Sequence, residues 1–354
     1  GSPDLPPKQE VIDTLKKELD DPINHRYPTY TGDISLRKAI AEYYARRFSV
    51  QLNPNAEILP LIGSKEGIVH SCLAFMNPGD IALVPNPGYP AYTAGPLLAD
   101  GAILSYSLNE KNHWLPDLAA IEKLDLSKVK VWWIGYPNNP TGVVATKKDM
   151  QSWVQFAQKH HILLLYDNPY SEVYFTKERP SSIMEIEGAK NVAIEFNSLS
   201  KTYNLAGWRI GMAVSSAPHI QTFLKVKSNI DTGIFTALQK AAAFAIEHTN
   251  EQWILERNAV YKKRRDSICA SLEKMGFVCK VPKAGLYVWA KSPTAHKKVE
   301  ILSFELIKQS QVFITPGTAF GSEGEGYFRI SLCQPKEIIQ EAMERLSLYF
   351  KKIV

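Results

Sequence analysis

Residues 129–167 read VKVWWIGYPNNPTGVVATKKDMQSWVQFAQKHHILLLYD, and this stretch decides the fold. It opens on an apolar run, Val129–Ile134, and turns through Gly135–Gly142. Met150, Val154, Ala157 and His161 then recur at helical spacing. A second apolar run, Ile162–Tyr166, stops at Asp167. Apolar strands alternating with helices predict an α/β protein with a mostly parallel sheet. The same alternation extends outward. Leu36, Ile40, Tyr44 and Phe48 have helical spacing, and further apolar runs fall at Ile58–Ile62, Ile81–Val84, Ile103–Tyr106, Val192–Phe196 and Ile210–Val214.

Beyond these runs a long helical pattern passes through Phe244, Trp253 and Tyr261 to Leu272 and reads as a connector. It leads to the runs Phe277–Val281, Gly285–Ala290, Val312–Ile314 and Phe328–Leu332, with helices near 300–310 and 336–352. That is a smaller α+β unit. Residues 1–25 are rich in proline and charge, with one amphipathic segment, Val11–Leu19. The expected division is a large domain at 26–255, and a small domain from 1–25 together with 256–354.

Composition narrows the function classes. The chain has 354 residues, 41 basic and 36 acidic, for a net charge of +5, with 45% hydrophobic residues. These are globular values that exclude wholesale disorder and a fibrous protein. The one dense basic run, Tyr261–Asp266, reads as a solvated helix face, so no nucleic-acid partner is expected. The four cysteines, Cys72, Cys269, Cys279 and Cys333, form no C-x-x-C pair. Neither a disulfide framework nor a metal site is expected, and a reduced, cytoplasmic setting fits. No apolar run is long enough for a bilayer, no signal peptide is visible, and no membrane partner is expected.

Polar residues sit just after the apolar runs. Ile58–Ile62 leads into Gly63-Ser64-Lys65, Val129–Ile134 into Asn138-Asn139-Pro140-Thr141-Gly142, Ile162–Tyr166 into Asp167, and Val192–Phe196 into Ser198-Leu199-Ser200-Lys201. Open α/β sheets bind ligands at the carboxyl ends of their strands. A lysine held among apolar neighbours and cations can lose its proton and attack a carbonyl, which makes Lys201 a candidate nucleophile rather than a surface charge. Ser198, Ser200 and Arg209 could grip a phosphate. Ser64 and Lys65 open a helical stretch whose free N–H groups favour an anion, or they merely start a helix. Asp167 is either a helix cap or a buried carboxylate that needs a cationic partner, such as a protonated pyridine nitrogen. Tyr89, in a turn-like segment, could stack on a flat ring. Arg329, inside an apolar strand, needs a carboxylate from the protein or from a substrate.

Read together and in order, these segments resemble the class I/II aminotransferases, fold-type I enzymes of pyridoxal 5'-phosphate (PLP). The most specific element is Ser198-x-Ser200-Lys201 with Gly207-Trp208-Arg209-Ile210-Gly211, followed by Asn138–Gly142 and the Asp167-x-x-Tyr170 pair. The resemblance implies a seven-stranded, mostly parallel sheet between helices. It implies PLP as cofactor and ping-pong transfer of an amino group from an amino acid to a 2-oxo acid. Lys201 would be the Schiff-base lysine and proton shuttle. Asp167 would keep the pyridine nitrogen protonated, Tyr170 and Asn139 would bond the ring oxygen, and Tyr89 would stack on the ring. Ser64, Lys65, Ser198, Ser200 and Arg209 would surround the phosphate. Arg329 with Asn139 would take the substrate α-carboxylate. Tyr27, in Tyr27-Pro28-Thr29-Tyr30, would reach the phosphate of a neighbouring subunit, so a homodimer with shared sites is expected. Gly1–Asp4 matches a segment that family members precede with an N-terminal arm, so the chain is expected to begin inside it.

Glu195–Arg209 with Glu187–Lys190 upstream, Pro282–Trp289 and Gly324–Arg329 look most like the LL-diaminopimelate aminotransferase group. Two departures stand out: Asn197 in place of an expected His, and Leu205-Ala206 in place of Met-Thr. Aspartate, alanine and aromatic aminotransferases are alternatives, as are a C–S β-lyase and a non-catalytic sensor of the same fold.

Overall fold

The computed structural model describes residues 2–294 and 298–352. Helices α1 (Gln9–Leu19) and α2 (Ile34–Phe48) precede β1 (Ile58–Leu61). Strand and helix then alternate through α3 (Ser64–Phe75), β2 (Ile81–Asn86), α4 (Ala91–Leu98), β3 (Ala102–Ser107), the one-turn α5 (Leu118–Ile121), β4 (Val129–Gly135), α6 (Lys147–His160) and β5 (Leu163–Asp167). Next come β6 (Ala193–Ser198), the one-turn α7 (Leu199–Thr202), β7 (Gly211–Val214) and α8 (Ala217–Lys227). Helices α9 (Thr236–His248) and α10 (Glu251–Lys274) lead to β8 (Val278–Cys279), β9 (Tyr287–Lys291), α11 (Val299–Ser310), β10 (Thr315–Pro316), β11 (Tyr327–Ser331) and α12 (Lys336–Phe350).

The first seven strands form one sheet in the order β1-β7-β6-β5-β4-β2-β3. From β3 to β6 every pairing is parallel, and β7 runs antiparallel between β6 and β1. The sheet is thus mostly parallel and buried on both faces: Val131, Trp132, Trp133, Ile134, Leu164 and Leu165 are inaccessible to solvent. Helix α6 shows how the sequence places a covering element. Thr146 and Asp149 form a reciprocal cap at its start, and His161 ends it in the left-handed conformation. Its buried stripe of Met150, Trp153, Val154 and Ala157 faces the sheet. A four-stranded sheet, β10-β11-β9-β8, is antiparallel throughout. It shares a second core with α10, α11 and α12 through Ile268, Leu272, Leu302, Phe328 and Leu346.

Four details depart from the sequence reading. The long helical pattern is two helices, because the Asn250 side chain accepts the Trp253 N–H and starts α10 afresh. Val312–Ile314 is not a strand: the Ile314 carbonyl is taken by the Ser303 hydroxyl at 2.9 Å, and pairing begins at Thr315. The run Tyr261–Asp266 is not wholly solvated. Tyr261, Arg264 and Arg265 are buried, Arg264 bonding Asp4 at 2.7 and 2.8 Å and Arg265 bonding the Pro282 carbonyl at 2.8 Å. Residues 1–25 also divide: Leu5 packs on the small-sheet core, whereas Val11 of α1 lies in the core of the large sheet. Among the described residues no helix is long and apolar enough to cross a membrane.

Candidate active site

Antiparallel β7 lies between β1 and β6, so β1 runs parallel to β6, and the strands β1, β2, β4, β5 and β6 all end on one edge. There Ser64, Lys65, Tyr89, Asn139, Asp167, Tyr170, Ser198, Ser200, Lys201, Arg209 and Arg329 line a single cleft of about 290 Å³. Ten of these eleven come from the large sheet's edge, and Arg329 reaches in from β11. Tyr27 does not line it. It is 89% exposed on the surface of its own chain.

One end of the cleft is built for an anion. Gly63 (φ +74°) leads into α3, and a Cβ there would run into the Arg209 guanidinium. Arg209 is itself left-handed (φ 56°), and its guanidinium lies over that turn. Gly211 presses equally close, since a Cβ on it would sit 2.5 Å from the Ser64 nitrogen. Ser198 ends β6, and its hydroxyl accepts the Ser200 N–H at 3.2 Å to start α7. That single turn carries Lys201 into the cleft. Burial lowers the Lys201 ammonium below its ordinary range. The Cys333 thiol nearby opposes this and Arg209 adds to it. Arg257 on α10 braces the same turn, donating to the carbonyls of Lys201 (2.8 Å), Thr202 and Glu172.

Asp167 closes the floor at the end of β5. Its Oδ2 accepts the Tyr92 hydroxyl at 2.8 Å, while its Oδ1 is buried without a partner. Burial pushes its carboxyl up to about 7; the Tyr92 bond pulls it back, and the carboxylate of Glu195 raises it further. The ring of Tyr92 stacks on Trp133 at 4.9 Å, which fixes the donor. Tyr170 is fully buried, and burial lifts its phenol well above the ordinary range, with Tyr287 adding to the effect.

At the opposite wall, Arg329 donates through Nη1 to Asn139 Oδ1 at 2.9 Å. Its guanidinium lies between the rings of Tyr287 (4.0 Å) and Phe320 (4.4 Å). Among the described residues no carboxylate is paired with it. Asn139 is set by its neighbour Asn138, whose Oδ1 accepts the Thr141 hydroxyl at 2.8 Å. Tyr92, Tyr287, Phe320 and Arg257 were not singled out from the sequence. For Tyr92 a signal existed: it stands three residues after Tyr89 at the start of a helix.

Comparison with known proteins agrees with this geometry. The family model for aminotransferase class I and II matches residues 1–346. An LL-diaminopimelate aminotransferase of Dehalococcoides mccartyi (strain CBDB1) is 47% identical over 352 residues, covering 99% of this chain and 90% of that protein. One from Aquifex aeolicus is 44% identical over 346 residues, covering 98% and 89%. Among solved structures, substrate-bound BacF from Bacillus subtilis superposes with a TM-score of 0.94 at 36% identity, covering 99% of this chain and 88% of that one. An aromatic aminotransferase from Pyrococcus horikoshii gives 0.94 at 29%, covering 99% and 94%. A family match over residues 1–346, with relatives at 44–47% identity over nearly the whole chain, means that the chain belongs to the class I and II aminotransferases, a family of PLP-dependent enzymes that move amino groups between amino acids and 2-oxo acids.

Proposed function

We propose that the cleft binds PLP and that the enzyme takes its amino group from LL-diaminopimelate. The observation that carries the cofactor assignment is the buried, unpartnered Asp167 Oδ1 on the cleft floor. A buried carboxylate oxygen needs a donor, and a protonated pyridine nitrogen is one. The anion end fits a phosphate: Ser64, Ser198, Ser200 and Arg209 line it together, and the missing Cβ atoms of Gly63 and Gly211 let the Arg209 guanidinium and the start of α3 pack closely there. The donor assignment is supported by the relatives at 47% and 44% identity.

When bound, PLP supplies an aldehyde carbon for the incoming amine and an electron-withdrawing ring. The chain's own residues do the rest. Asp167 would hold a proton on the ring nitrogen, Tyr170 and Asn139 would bond the ring oxygen, and Tyr89 would cover a ring face. Lys201, its ammonium destabilised by burial, carries the proton from the substrate Cα through its Nζ. Arg329, held flat between two rings, binds the α-carboxylate through two parallel N–H groups, and Asn139 steers it. Tyr27, exposed on its own chain, serves the phosphate of a second copy, so the working form is a homodimer.

The experiment is a half-reaction. Purified protein loaded with PLP is mixed with one amino acid at a time, and the visible absorbance and the 2-oxo acid formed are followed. LL-diaminopimelate is expected to bleach the band with kcat/KM at least ~100-fold above phenylalanine. Faster bleaching by aspartate, alanine or phenylalanine would overturn the donor assignment. Ammonia and pyruvate released from a cysteine conjugate without any 2-oxo acid acceptor would point to a β-lyase. Arg329→Lys tests the wall. A lysine cannot bind a carboxylate in two parallel bonds, so KM for the donor is expected to rise ~30-fold or more, with kcat changed far less.

A further inference from the structure

Glu66 sits in the first turn of α3, two residues beyond Ser64, where a carboxylate would repel any anion held by the cleft. It is nonetheless fixed in place. Its Oε2 accepts the Ile62 N–H, and its own N–H bonds the Gly63 carbonyl at 3.2 Å, so it ties both sides of the turn between β1 and α3. Its Oε1 receives Lys227 Nζ at 2.9 Å and lies 3.3 Å from His70 Nδ1. Lys227, on α8, is only 1% exposed, and its ammonium also bonds Asp231 Oδ1 at 2.6 Å. That oxygen accepts the Gly233 N–H at 2.8 Å. Burial pushes the Glu66 carboxyl up, but His70 and Lys227 outweigh it and hold it below the ordinary range. Donor atoms of Glu66, His70 and Asp231 lie within 4.8 Å of one another, as metal ligands do. The Lys227 ammonium already bonds the two carboxylates, so the cluster carries its own cation.

We propose that Glu66 and Lys227 act together as positioning residues for the anion end of the cleft: Glu66 braces the 61–64 turn that presents Ser64 and Lys65, and Lys227 cancels the charge that would otherwise repel the cofactor's phosphate. The inference rests on the reading that this end takes the phosphate. A neutral acceptor at position 66 would brace the turn without needing the ammonium. A carboxylate without the ammonium would brace it and repel the ligand. The pair therefore makes opposite demands that separate variants expose.

The test compares the affinity of the cofactor-free protein for PLP and for pyridoxal, which lacks the phosphate, by equilibrium dialysis. Wild type is expected to prefer PLP by at least ~100-fold. Lys227→Met takes the shared ammonium away from both Glu66 and Asp231. It is expected to lose PLP affinity ~30-fold, with pyridoxal changed less than ~3-fold. The double variant Glu66→Gln/Lys227→Met keeps an acceptor for the Ile62 N–H and should return to within ~5-fold of wild type. Glu66→Ala/Lys227→Met removes that acceptor and should fall ~10-fold below the Gln double. Both doubles lose the charges of Glu66 and Lys227 and keep the same Asp231 carboxylate, so their comparison holds even if Lys227→Met alone does not fold. Equal PLP affinity in the two doubles, or parallel loss of PLP and pyridoxal in Lys227→Met, would overturn the inference. A wild type that binds PLP no better than pyridoxal would instead overturn the phosphate reading beneath it.

Discussion

Lys201→Ala is expected to lower transamination turnover by ~10⁴-fold or more, the largest effect of any single change in this chain. The reason is positional. Lys201 rides on a one-turn helix that Ser198 starts and Arg257 holds by its carbonyls, so its Nζ is carried to one place in the cleft. Burial and Arg209 both destabilise its ammonium, so Nζ gives up its proton more readily than an ordinary lysine. The same burial predicts that the folded protein tolerates the change: the melting temperature should hold or rise slightly, since alanine has no charge to desolvate. Steady-state turnover with the donor, alongside a thermal melt, checks both. Turnover within tenfold of wild type would end the assignment of Lys201 as the proton-carrying residue.

Asp167→Asn is expected to separate stability from function. The carboxyl is fully buried and pushed up to about 7, so in the cofactor-free protein the native state keeps its proton after the unfolded chain has shed it. Stability therefore falls as pH rises from about 4 to about 7 and stays low above that, by on the order of 4 kcal/mol. Asparagine still accepts the Tyr92 hydroxyl and has no charge to bury. Without cofactor the variant should melt a few degrees higher than wild type at pH 8 and show no gain at pH 4. With PLP bound, activity should drop ~10³-fold, because nothing then holds a proton on the ring nitrogen. A variant that melts no higher at pH 8, with activity intact, would show that Asp167 is an ordinary buried polar group. The expected trade is the usual one for a site kept partly unsatisfied until its ligand arrives.

Much of this site could be read before any coordinates. The runs ending at Ile62, Ile134, Tyr166 and Phe196, each followed by polar residues, announced a sheet edge, because strand termini collect polar residues only where a ligand or solvent meets them. The partners were harder. Tyr92 bonds Asp167 across 75 residues of sequence. Tyr287 and Phe320 flank Arg329 from different segments, and each looks like ordinary core in its own run. Arg257 lies in a charged helix with no local mark of the backbone it holds. The break at Asn250 escaped because Thr249 and Asn250 leave the helical spacing of the apolar residues intact on either side. Local pattern fixes which edge is polar; ring sandwiches and buried donor pairs are made by tertiary contact and leave no period in the chain.

The 24 residues of α10 span about 36 Å. Near one end Arg257 grips the carbonyls beneath Lys201, and toward the other Ile268 and Leu272 are locked in the core of the small sheet that carries Arg329. A rigid rod fastened at both ends has no slack. Lys201 and Arg329 are therefore tied to one helix: a tilt of the small sheet about it would shift the backbone under Lys201 in step.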